Sequence, residues 1–321
     1  MKLNTLPQNI AKHLISACSL LGIRQEKIGF WEVSDYGIFV LLTESFYQTL
    51  NYRKAEPSDF ITRRELNDLP HSGHYRDSRS YMSIVIQHFL EHGLTPNIID
   101  IGGYIGRFSI ETALLLQSEK LPIDQIYCLE PGLTMDIIKA NLELNGVNSL
   151  VTLEAWAASD EESTAEYKYA PHVLISGRIS PFPSATKFRT VKTRRLNDFL
   201  NELPCKDAAI IKIDTEGHEP NVMMGLGQLV HTLPNVCIVE FWPQSLNQSV
   251  NGIKYADFLK TNYHLINIRS SLYPNEFTLE TDIQEFANKF DFEQGNVDLL
   301  FIGKSVPNCN DLVNSILSMH Q

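Results

Sequence analysis

The order of apolar and polar positions predicts an opening helix and hairpin, followed by a polar stretch. Residues 9–21 place apolar side chains at helical spacing before Gly22, which indicates an amphipathic helix with a glycine stop. Residues 28–33 and 38–42 are β-rich runs on either side of a Ser-Asp-Tyr-Gly turn, the pattern of a hairpin. Residues 53–80 are polar and charged, and predict a linker or a loop-rich cover.

From residue 81 the pattern alternates between strands and helices. A helix over 81–92 ends at Gly93. Strand-like runs follow at 98–101, 125–129, 150–155, 208–213, 236–241, 264–268 and 297–302, and helical runs at 108–117, 133–145, 220–230 and 255–261. This spacing predicts an α/β fold with a doubly wound, mostly parallel sheet, whose ligands bind beyond the carboxyl ends of the strands. The predicted organisation is an extension over 1–80, a sheet domain over 81–306 and a tail helix over 307–321.

One interval, 155–208, breaks the alternation. It holds the string AEYKYA, a loop with Pro and Ser over 175–186, the alternating FRTVK and the helical RLNDFL. An insertion above the carboxyl edge of a sheet can cover a ligand. A surface hairpin with no role in binding explains the same residues equally well.

Composition narrows the class of protein. The chain has 43% hydrophobic and 20% charged residues and a net charge of −11, as expected of a globular protein that repels nucleic acid. No apolar run approaches the roughly 20 residues of a membrane span, and the N-terminus lacks a signal-peptide core. The five cysteines are scattered, so a disulfide framework or structural zinc is not predicted. Cys128 and Cys237 lie in apolar stretches and are expected to be buried, and the compartment is predicted to be the reducing cytoplasm.

The first chemical motif follows the first strand of the alternating region. Asp100 precedes a turn with glycines at 102, 103 and 106. A nicotinamide fingerprint would require glycine where Tyr104 and Arg107 stand, and the phosphate-loop pattern is absent. A carboxylate before the turn would repel a pyrophosphate but suit a cofactor with a cationic amino-acid end, such as S-adenosylmethionine. A structural turn without a ligand is the alternative.

Two further strand ends carry candidate cofactor residues. Glu130 ends the second strand, where a carboxylate can accept hydrogen bonds from ribose hydroxyls, and Pro131 is expected at the first position of a helix. The alternative for Glu130 is a surface residue near a helix N-terminus. After the third strand, Trp156 and Ala157 could floor an adenine with Asp160 at its edge, although core packing and a turn explain them as well.

The fourth strand runs into the acidic turn Asp214-Thr-Glu216-Gly-His218-Glu219. Pro220 then starts a helix, so Glu219 is expected in its N-cap region. Capping does not readily explain Glu216 or His218. Histidine is a candidate general base because its pKa lies near neutral pH, although a structural histidine is the alternative.

Glu240 ends the fifth strand and would lie near Asp214 if the fourth and fifth strands are neighbours. Two such carboxylates could hold Mg²⁺ or orient a substrate hydroxyl. The sequence shows no third dedicated oxygen ligand beside them, so no metal is predicted.

Six strings, in this order and spacing, resemble FkbM-type S-adenosylmethionine-dependent methyltransferases: IIDIGGYIG, YCLEPG, WAASD, RLNDFL, IIKIDTEGHEPNVMMG and CIVEFW. The similarity covers about 98–303, and its most specific piece is IIKIDTEGHE with Gly225 seven residues beyond His218. The sequence departs from the family where Gly103-Tyr104 replaces the common Ala-Asn and Asn197 replaces Asp.

The resemblance implies a seven-stranded class I methyltransferase (Rossmann-like) sheet and methyl transfer to a hydroxyl, often on a sugar or natural-product scaffold. It implies a reaction centre of Asp214, Glu216, His218 and Glu219. Since methyl transfer to a hydroxyl needs a base to remove its proton, we expect His218 or Asp214 in that role, with Glu216 orienting the acceptor. Together, the motifs give the cofactor residues Asp100, Gly102, Gly103, Tyr104, Gly106, Glu130, Pro131, Trp156, Ala157 and Asp214.

The predicted function is therefore O-methylation of a small-molecule or glycan acceptor with S-adenosylmethionine as cofactor. Two rival functions stay open. One is a nicotinamide oxidoreductase, and the other is a non-catalytic S-adenosylmethionine-binding or scaffold protein whose opening segment contacts partners. The β-rich opening segment could also pair chains into a homo-oligomer.

Overall fold

A computed structural model of the protein describes residues 8–21, 28–32, 39–43, 73–123, 125–132, 134–170, 173–180, 185–241, 252–269, 278–280, 282–288 and 297–320. The chain forms two compact units. Unit 1 contains 1–79, 102–156 and 165–191, and unit 2 contains 80–101, 157–164 and 192–321.

Unit 2 is built on a sheet of six strands. In chain order they are β3 (Pro96–Ile101), β10 (Ala208–Ile213), β11 (Asn235–Phe241), β12 (Tyr263–Arg269), β13 (Thr278–Glu280) and β14 (Val297–Gly303). Their spatial order is β13-β12-β14-β11-β10-β3. The pairs β3–β10 and β10–β11 are parallel, whereas β14 is antiparallel to both its neighbours, β11 and β12. The last strand is thus inserted between two earlier ones.

The core of unit 2 lies along these strands. All six residues of β3 are buried, as are nearly all residues of β10, β11 and β14. Continuous apolar runs are expected for strands that are covered on both faces. Cys237 is buried here and Cys128 is buried in unit 1, as predicted.

Helices connect and flank these strands. In unit 2 they are α2 (Gly73–Glu91, from residue 80 onward), α5 (Leu196–Glu202), α6 (Glu219–Met224), α7 (Leu229–Thr232), α8 (Gly252–Asn262), α9 (Ile283–Asn288) and α10 (Cys309–Leu317), with a 3₁₀ turn at Ser318–His320. None of the described helices has both the length and the apolar character of a membrane span.

Unit 1 contains the opening helix and hairpin together with part of the predicted sheet domain. Its helices are α1 (Gln8–Leu21), α3 (Arg107–Glu119) and α4 (Met135–Leu144), and its strands include β1 (Ile28–Glu32), β2 (Phe39–Thr43), β4 (Ile126–Leu129) and β5 (Val151–Glu154). The predicted hairpin is confirmed by antiparallel pairing of β1 with β2, although its turn lies outside the described residues. Strands β4 and β5 pair in parallel.

Helix α1 packs on α4, so the opening segment is joined to the residues after the glycine turn. Leu14 is fully buried, and His13 Nε2 lies 3.3 Å from Glu143 Oε1. Ser16 donates a hydrogen bond to Asp136. The domain boundaries stay a prediction, but the extension makes specific contacts within unit 1.

The insertion forms short strands. These are β6 (Ala157–Ser159), β7 (Ser163–Ala170), β8 (Val173–Arg178) and β9 (Lys187–Arg195). In unit 2, β6 pairs in parallel with the end of β9, and in unit 1, β7 pairs antiparallel with β8. The loop predicted over 175–186 is therefore partly a strand.

The predicted α/β class with a mostly parallel Rossmann-like sheet is confirmed. The described residues give six strands in unit 2 and the pair β4–β5 in unit 1, one more than the predicted seven because of the short β13. Helix α2 begins at Gly73, so the linker predicted up to residue 80 was wrong for 73–80, while 53–72 lie outside the described residues.

The helix predicted over 220–230 is two helices, α6 and α7, with a turn at 225–228. Gly225 has an ordinary helical φ of −63°, so conformation alone does not require glycine. Space does, because a Cβ there would overlap the carbonyl of Ser159 and come within 2.9 Å of Val222 O. The Gly225 carbonyl also accepts the Asn197 N–H at 2.8 Å. The chain turns at this point to let β6 approach α6.

We expect Gly225→Ala to destabilise the protein by roughly 2–3 kcal/mol, because both groups in the way are backbone and cannot rotate aside. Gly146→Ala is the matched control. Gly146 has φ +66° with open space around it, so it should cost only the left-handed penalty of about 1 kcal/mol. Urea unfolding of both variants measures the difference, and a Gly225→Ala variant no less stable than Gly146→Ala would contradict this packing argument.

Candidate active site

In unit 1 the glycine turn is pinned to the end of β4. The N–H groups of Gly102 and Gly103 both donate to Leu129 O, at 3.0 and 3.1 Å. Gly102 and Gly106 have φ of +82°, which favours glycine, and Gly106 occupies the N-cap position of α3. The sequence therefore supplies glycine where the backbone reverses and where α3 begins.

The departure from the family's Ala-Asn has a local explanation. At Gly103 a Cβ would overlap Cys128 Sγ, so the cysteine of β4 fills the space that alanine would need. Tyr104 has φ +50°, in the left-handed region that asparagine tolerates better than most residues. Tyr104 therefore adopts a conformation that suits the family's asparagine.

Glu130 organises this turn. Its carboxylate is 5% exposed, and its two oxygens accept the N–H of Tyr104 at 2.9 Å and of Gly132 at 2.5 Å. These two bonds hold the turn, and a ribose-binding role for Glu130 stays a prediction. The prediction that Pro131 opens a helix was wrong, because the chain forms this turn first and α4 begins only at Met135.

The insertion reaches Glu130. A Cβ on Gly132 would overlap Glu130 Oε1 and lie 2.8 Å from Tyr167 Oη, which places the phenol of β7 beside the carboxylate. A Cβ on Gly177 of β8 would also overlap Tyr167 Oη. Two glycines thus make room for one tyrosine, and within unit 1 the insertion covers the candidate ribose residue.

The proposed adenine residues are buried. Trp156 is 5% exposed and donates its indole N–H to Glu154 Oε2 at 2.8 Å, and Ala157 is 6% exposed in β6. These contacts are those of core packing, and an adenine-binding role for either residue stays a prediction.

In unit 2 a single lysine joins two strand ends. Lys212 of β10 is the register partner of Asp100 of β3, and its Nζ lies 3.5 Å from Asp100 Oδ1 and 3.3 Å from Asp214 Oδ2. Asp100 is fully buried, whereas the Asp214 side chain is 37% exposed. Sequence reasoning missed Lys212, although a cation within the apolar run Ala-Ala-Ile-Ile-Lys-Ile was the available signal.

The acidic turn is built around Glu219. This residue is 2% exposed at the start of α6, and its Oε1 accepts the N–H of Thr215 at 2.8 Å, the Thr215 hydroxyl at 2.9 Å and the N–H of Gly217 at 3.0 Å. Burial raises the pKa of Glu219, and these hydrogen bonds oppose the rise. The N-cap position itself belongs to His218, and Pro220 lies in the first turn as predicted. Glu219 is therefore a structural member of the reaction-centre motif.

Holding the turn this way brings three other carboxylates together. Glu216, at φ +57°, has an oxygen within 4.8 Å of oxygens of both Asp214 and Glu240. Strands β10 and β11 are parallel neighbours, which confirms that Glu240 emerges near Asp214. The statement that no third oxygen accompanies this pair was wrong, because Glu216 supplies it.

His218 faces the short strand β6. Its Nε2 lies 3.2 Å from Ser159 Oγ, and Ser159 is 3% exposed. Burial lowers the pKa of His218, and the nearby Asp160 carboxylate opposes the change. The imidazole is therefore neutral near pH 7, the state in which it can accept a proton. Sequence reasoning missed Ser159, because a serine in a run of small residues carries no signal of its own.

Solved structures resemble the chain only distantly. The FkbM methyltransferase from Methylobacillus flagellatus KT shares 14% identity at a TM-score of 0.40, over 91% of this chain and 60% of that one, so this chain spans about 60% of its length. The plantazolicin methyltransferase BpumL, in complex with a pentazolic analog and SAH, shares 12% identity at a TM-score of 0.33, over 93% of this chain and 99% of that one. A search of curated proteins found no match.

The sequence comparison with protein families is specific. The Methyltransferase FkbM domain family matches residues 100–262, from the buried carboxylate before the glycine turn to the end of α8. This match covers about half of the chain and includes the glycine turn, Glu130, the acidic turn and Glu240. The chain belongs to the Methyltransferase FkbM domain family.

Proposed function

We propose that the protein transfers a methyl group from S-adenosylmethionine to a hydroxyl of a small-molecule or glycan acceptor. The observation that carries the proposal is the glycine turn held by Glu130, because glycines allow a ligand close to the backbone and the carboxylate lies at the end of a strand, where sheets of this kind bind a ribose. When bound, the cofactor supplies a methyl group already activated by a sulfonium. The protein then needs only to bind, orient and accept a proton.

The residues fit such a cofactor. Glycine at 102 and 103 leaves the turn without side-chain bulk, and the Glu130 carboxylate lies at the end of β4 beside it. In unit 2, Asp214 is the partly exposed member of the Lys212 pair and could receive a cationic amino-acid group. Asp100 forms an ion pair with Lys212. Its contact with the cofactor is also part of the proposal.

His218 is our candidate for the base. It is neutral near pH 7 and lies in the same turn as Glu216, whose carboxylate could orient the acceptor hydroxyl. Lys212 Nζ lies 3.3 Å from Asp214 Oδ2, so the Asp214 carboxylate is already engaged in an ion pair, whereas the His218 imidazole forms none with the described residues. The geometry therefore favours His218 over Asp214.

The setting of the reaction is also proposed. Cys128, Cys205, Cys237 and Cys309 are free thiols, which supports a reducing compartment such as the cytoplasm. Burial raises the pKa of Cys237 to about 12, so this thiol stays protonated and unreactive.

We expect Glu130→Gln to raise the dissociation constant for S-adenosylmethionine at least about tenfold. The amide replaces one acceptor oxygen with a donor that faces a backbone N–H. Calorimetric titration measures the change, and Glu91→Gln, at an exposed carboxylate on α2, is the matched control. Equal affinity of wild type and Glu130→Gln would remove the ribose assignment, and wild-type binding of a dinucleotide instead would favour the oxidoreductase.

We expect His218→Gln to lower kcat by roughly 10²- to 10⁴-fold without changing cofactor affinity, because only proton removal is lost. Since the pKa of His218 is lowered from its ordinary 6.5, the wild-type rate should decline only as the pH falls below that value. A labelled-methyl assay on a panel of glycan and small-molecule acceptors measures both, with the exposed His231→Gln as control. Unchanged turnover in His218→Gln would exclude this base.

We expect EDTA to leave methyl transfer unchanged. Asp214, Glu216 and Glu240 could supply three oxygens to a cation, but Lys212 Nζ already provides a positive charge beside Asp214. The assay compares EDTA-treated protein with the same protein after addition of Mg²⁺. Loss of activity that Mg²⁺ restores would show that the carboxylates work as a metal site.

A further inference from the structure

Three polar groups in unit 2 form a hydrogen-bonded chain that ends on His218. Ser159 Oγ lies 3.1 Å from Asp160 Oδ1 and 3.2 Å from His218 Nε2. Asp160 Oδ1 also accepts the Asn221 amide N–H at 3.2 Å. Ser159 is buried and Asp160 is exposed, so the chain runs from the surface to the histidine.

The single proton of the serine hydroxyl decides the direction of this chain. An ionised carboxylate only accepts hydrogen bonds, so the Ser159 hydroxyl must donate to Asp160. Because its one hydrogen is donated to Asp160, Ser159 Oγ can only accept a hydrogen bond from the imidazole. The opposite arrangement would set Ser159 Oγ and Asp160 Oδ1 against each other as two acceptors 3.1 Å apart. Every contact is satisfied only if His218 carries its hydrogen on Nε2.

We infer that Ser159 is a positioning residue that holds His218 in the Nε2–H tautomer, so that Nδ1 is the nitrogen that accepts the proton of the methyl acceptor. This inference rests on the proposed function, because the tautomer matters for turnover only if His218 is the base. Among the described residues, none forms a hydrogen bond with Nδ1, and the side chain is only partly buried. Its lone pair is therefore open to an acceptor hydroxyl.

The proton balance of the step follows from this tautomer. A lone pair of the acceptor oxygen forms the new O–CH₃ bond, the electrons of the C–S bond stay on sulfur, and the hydroxyl proton moves to Nδ1. The resulting imidazolium keeps its Nε2–H on Ser159, and the Asp160 carboxylate at the other end of the chain favours that positive charge. Release of the Nδ1 proton to water then restores the neutral ring.

Gly225 lies against the backbone of Ser159, next to the hydrogen bond between Ser159 and His218. The carbonyl of Ser159 occupies the space that a Cβ of residue 225 would need, so β6 can approach α6 closely enough for the serine to reach the histidine. A residue seven positions beyond His218 thus sets the distance of the positioning hydrogen bond.

Nitrogen NMR of the full-length protein labelled with ¹⁵N-histidine tests the tautomer without any cofactor or acceptor. The chain has ten histidines, and the His218 signals are those that disappear in His218→Gln. At a pH above the ordinary histidine value, we expect Nε2 protonated and Nδ1 bare. A His218 that carries its hydrogen on Nδ1, or an even mixture of tautomers, overturns the inference.

Variants extend the test to turnover. Ser159→Ala should give a tautomer mixture and lower kcat by up to about 100-fold with KM unchanged, and Ser159→Thr should restore both readouts. The exposed Ser163→Ala is the matched control and should change neither. A Ser159→Ala spectrum identical to wild type overturns the inference. If Ser159→Ala does not fold, the wild-type spectrum alone decides the inference. A wild-type protein that shows the expected Nε2–H tautomer but transfers no methyl group would overturn the proposed function and not the tautomer.

Discussion

The ion pairs of Lys212 are the constraint on which the reaction-centre unit depends. Asp100 is fully buried, and a buried carboxylate without a cation would cost several kcal/mol, so Lys212 makes this charge tolerable in the sheet. The same ammonium lies beside Asp214, which couples the ends of β3 and β10. One ammonium group thus contacts both carboxylates at the start of the acidic turn. Of these two carboxylates, Asp100 is buried and Asp214 is partly exposed.

Each unit uses a buried glutamate to shape the turn after a strand. Glu130 accepts the N–H groups of Tyr104 and Gly132, and Glu219 accepts those of Thr215 and Gly217. Acidic residues in such motifs are usually read as ligands for a substrate or cofactor. Here both are first of all acceptors for backbone N–H groups, which would otherwise be costly to leave unpaired. Glu219 accepts both N–H groups on one oxygen, Oε1, whereas Glu130 accepts one N–H group on each of its oxygens.

Hydrophobic period predicted most of the strands and helices, because buried strands such as β10 and β11 are continuous apolar runs between turn signals. It failed where tertiary contacts decide the local structure. Pro131 is a good first helix residue by propensity, yet residues 130–132 close a turn on Glu130, and α4 begins only at Met135. The helix over 220–230 gives way to a turn at 225–228, where Gly225 meets Ser159, and no periodicity in the sequence shows that contact. The site followed the same rule. Its acids and His218 were singled out from the motifs, whereas Lys212 and Ser159 stand in the same strings but are distinguished only by their contacts with Asp100, Asp214 and His218.

These observations separate what a family motif specifies from what it leaves free. Gly225 belongs to the motif and is glycine because the Ser159 carbonyl takes the space of a side chain, so it records a close backbone approach before any chemistry. Gly103 stands where the family commonly has Ala, and it is glycine because the Cys128 side chain takes that space. Each of these two glycines preserves the backbone of its own turn. Tyr167 differs, because it comes from the insertion, whose strands β7 and β8 replace the regular alternation, and it still reaches Glu130. Differences in acceptor among proteins that share the motif would therefore arise in residues of this kind, which lie beside the same turn but come from outside the regular alternation.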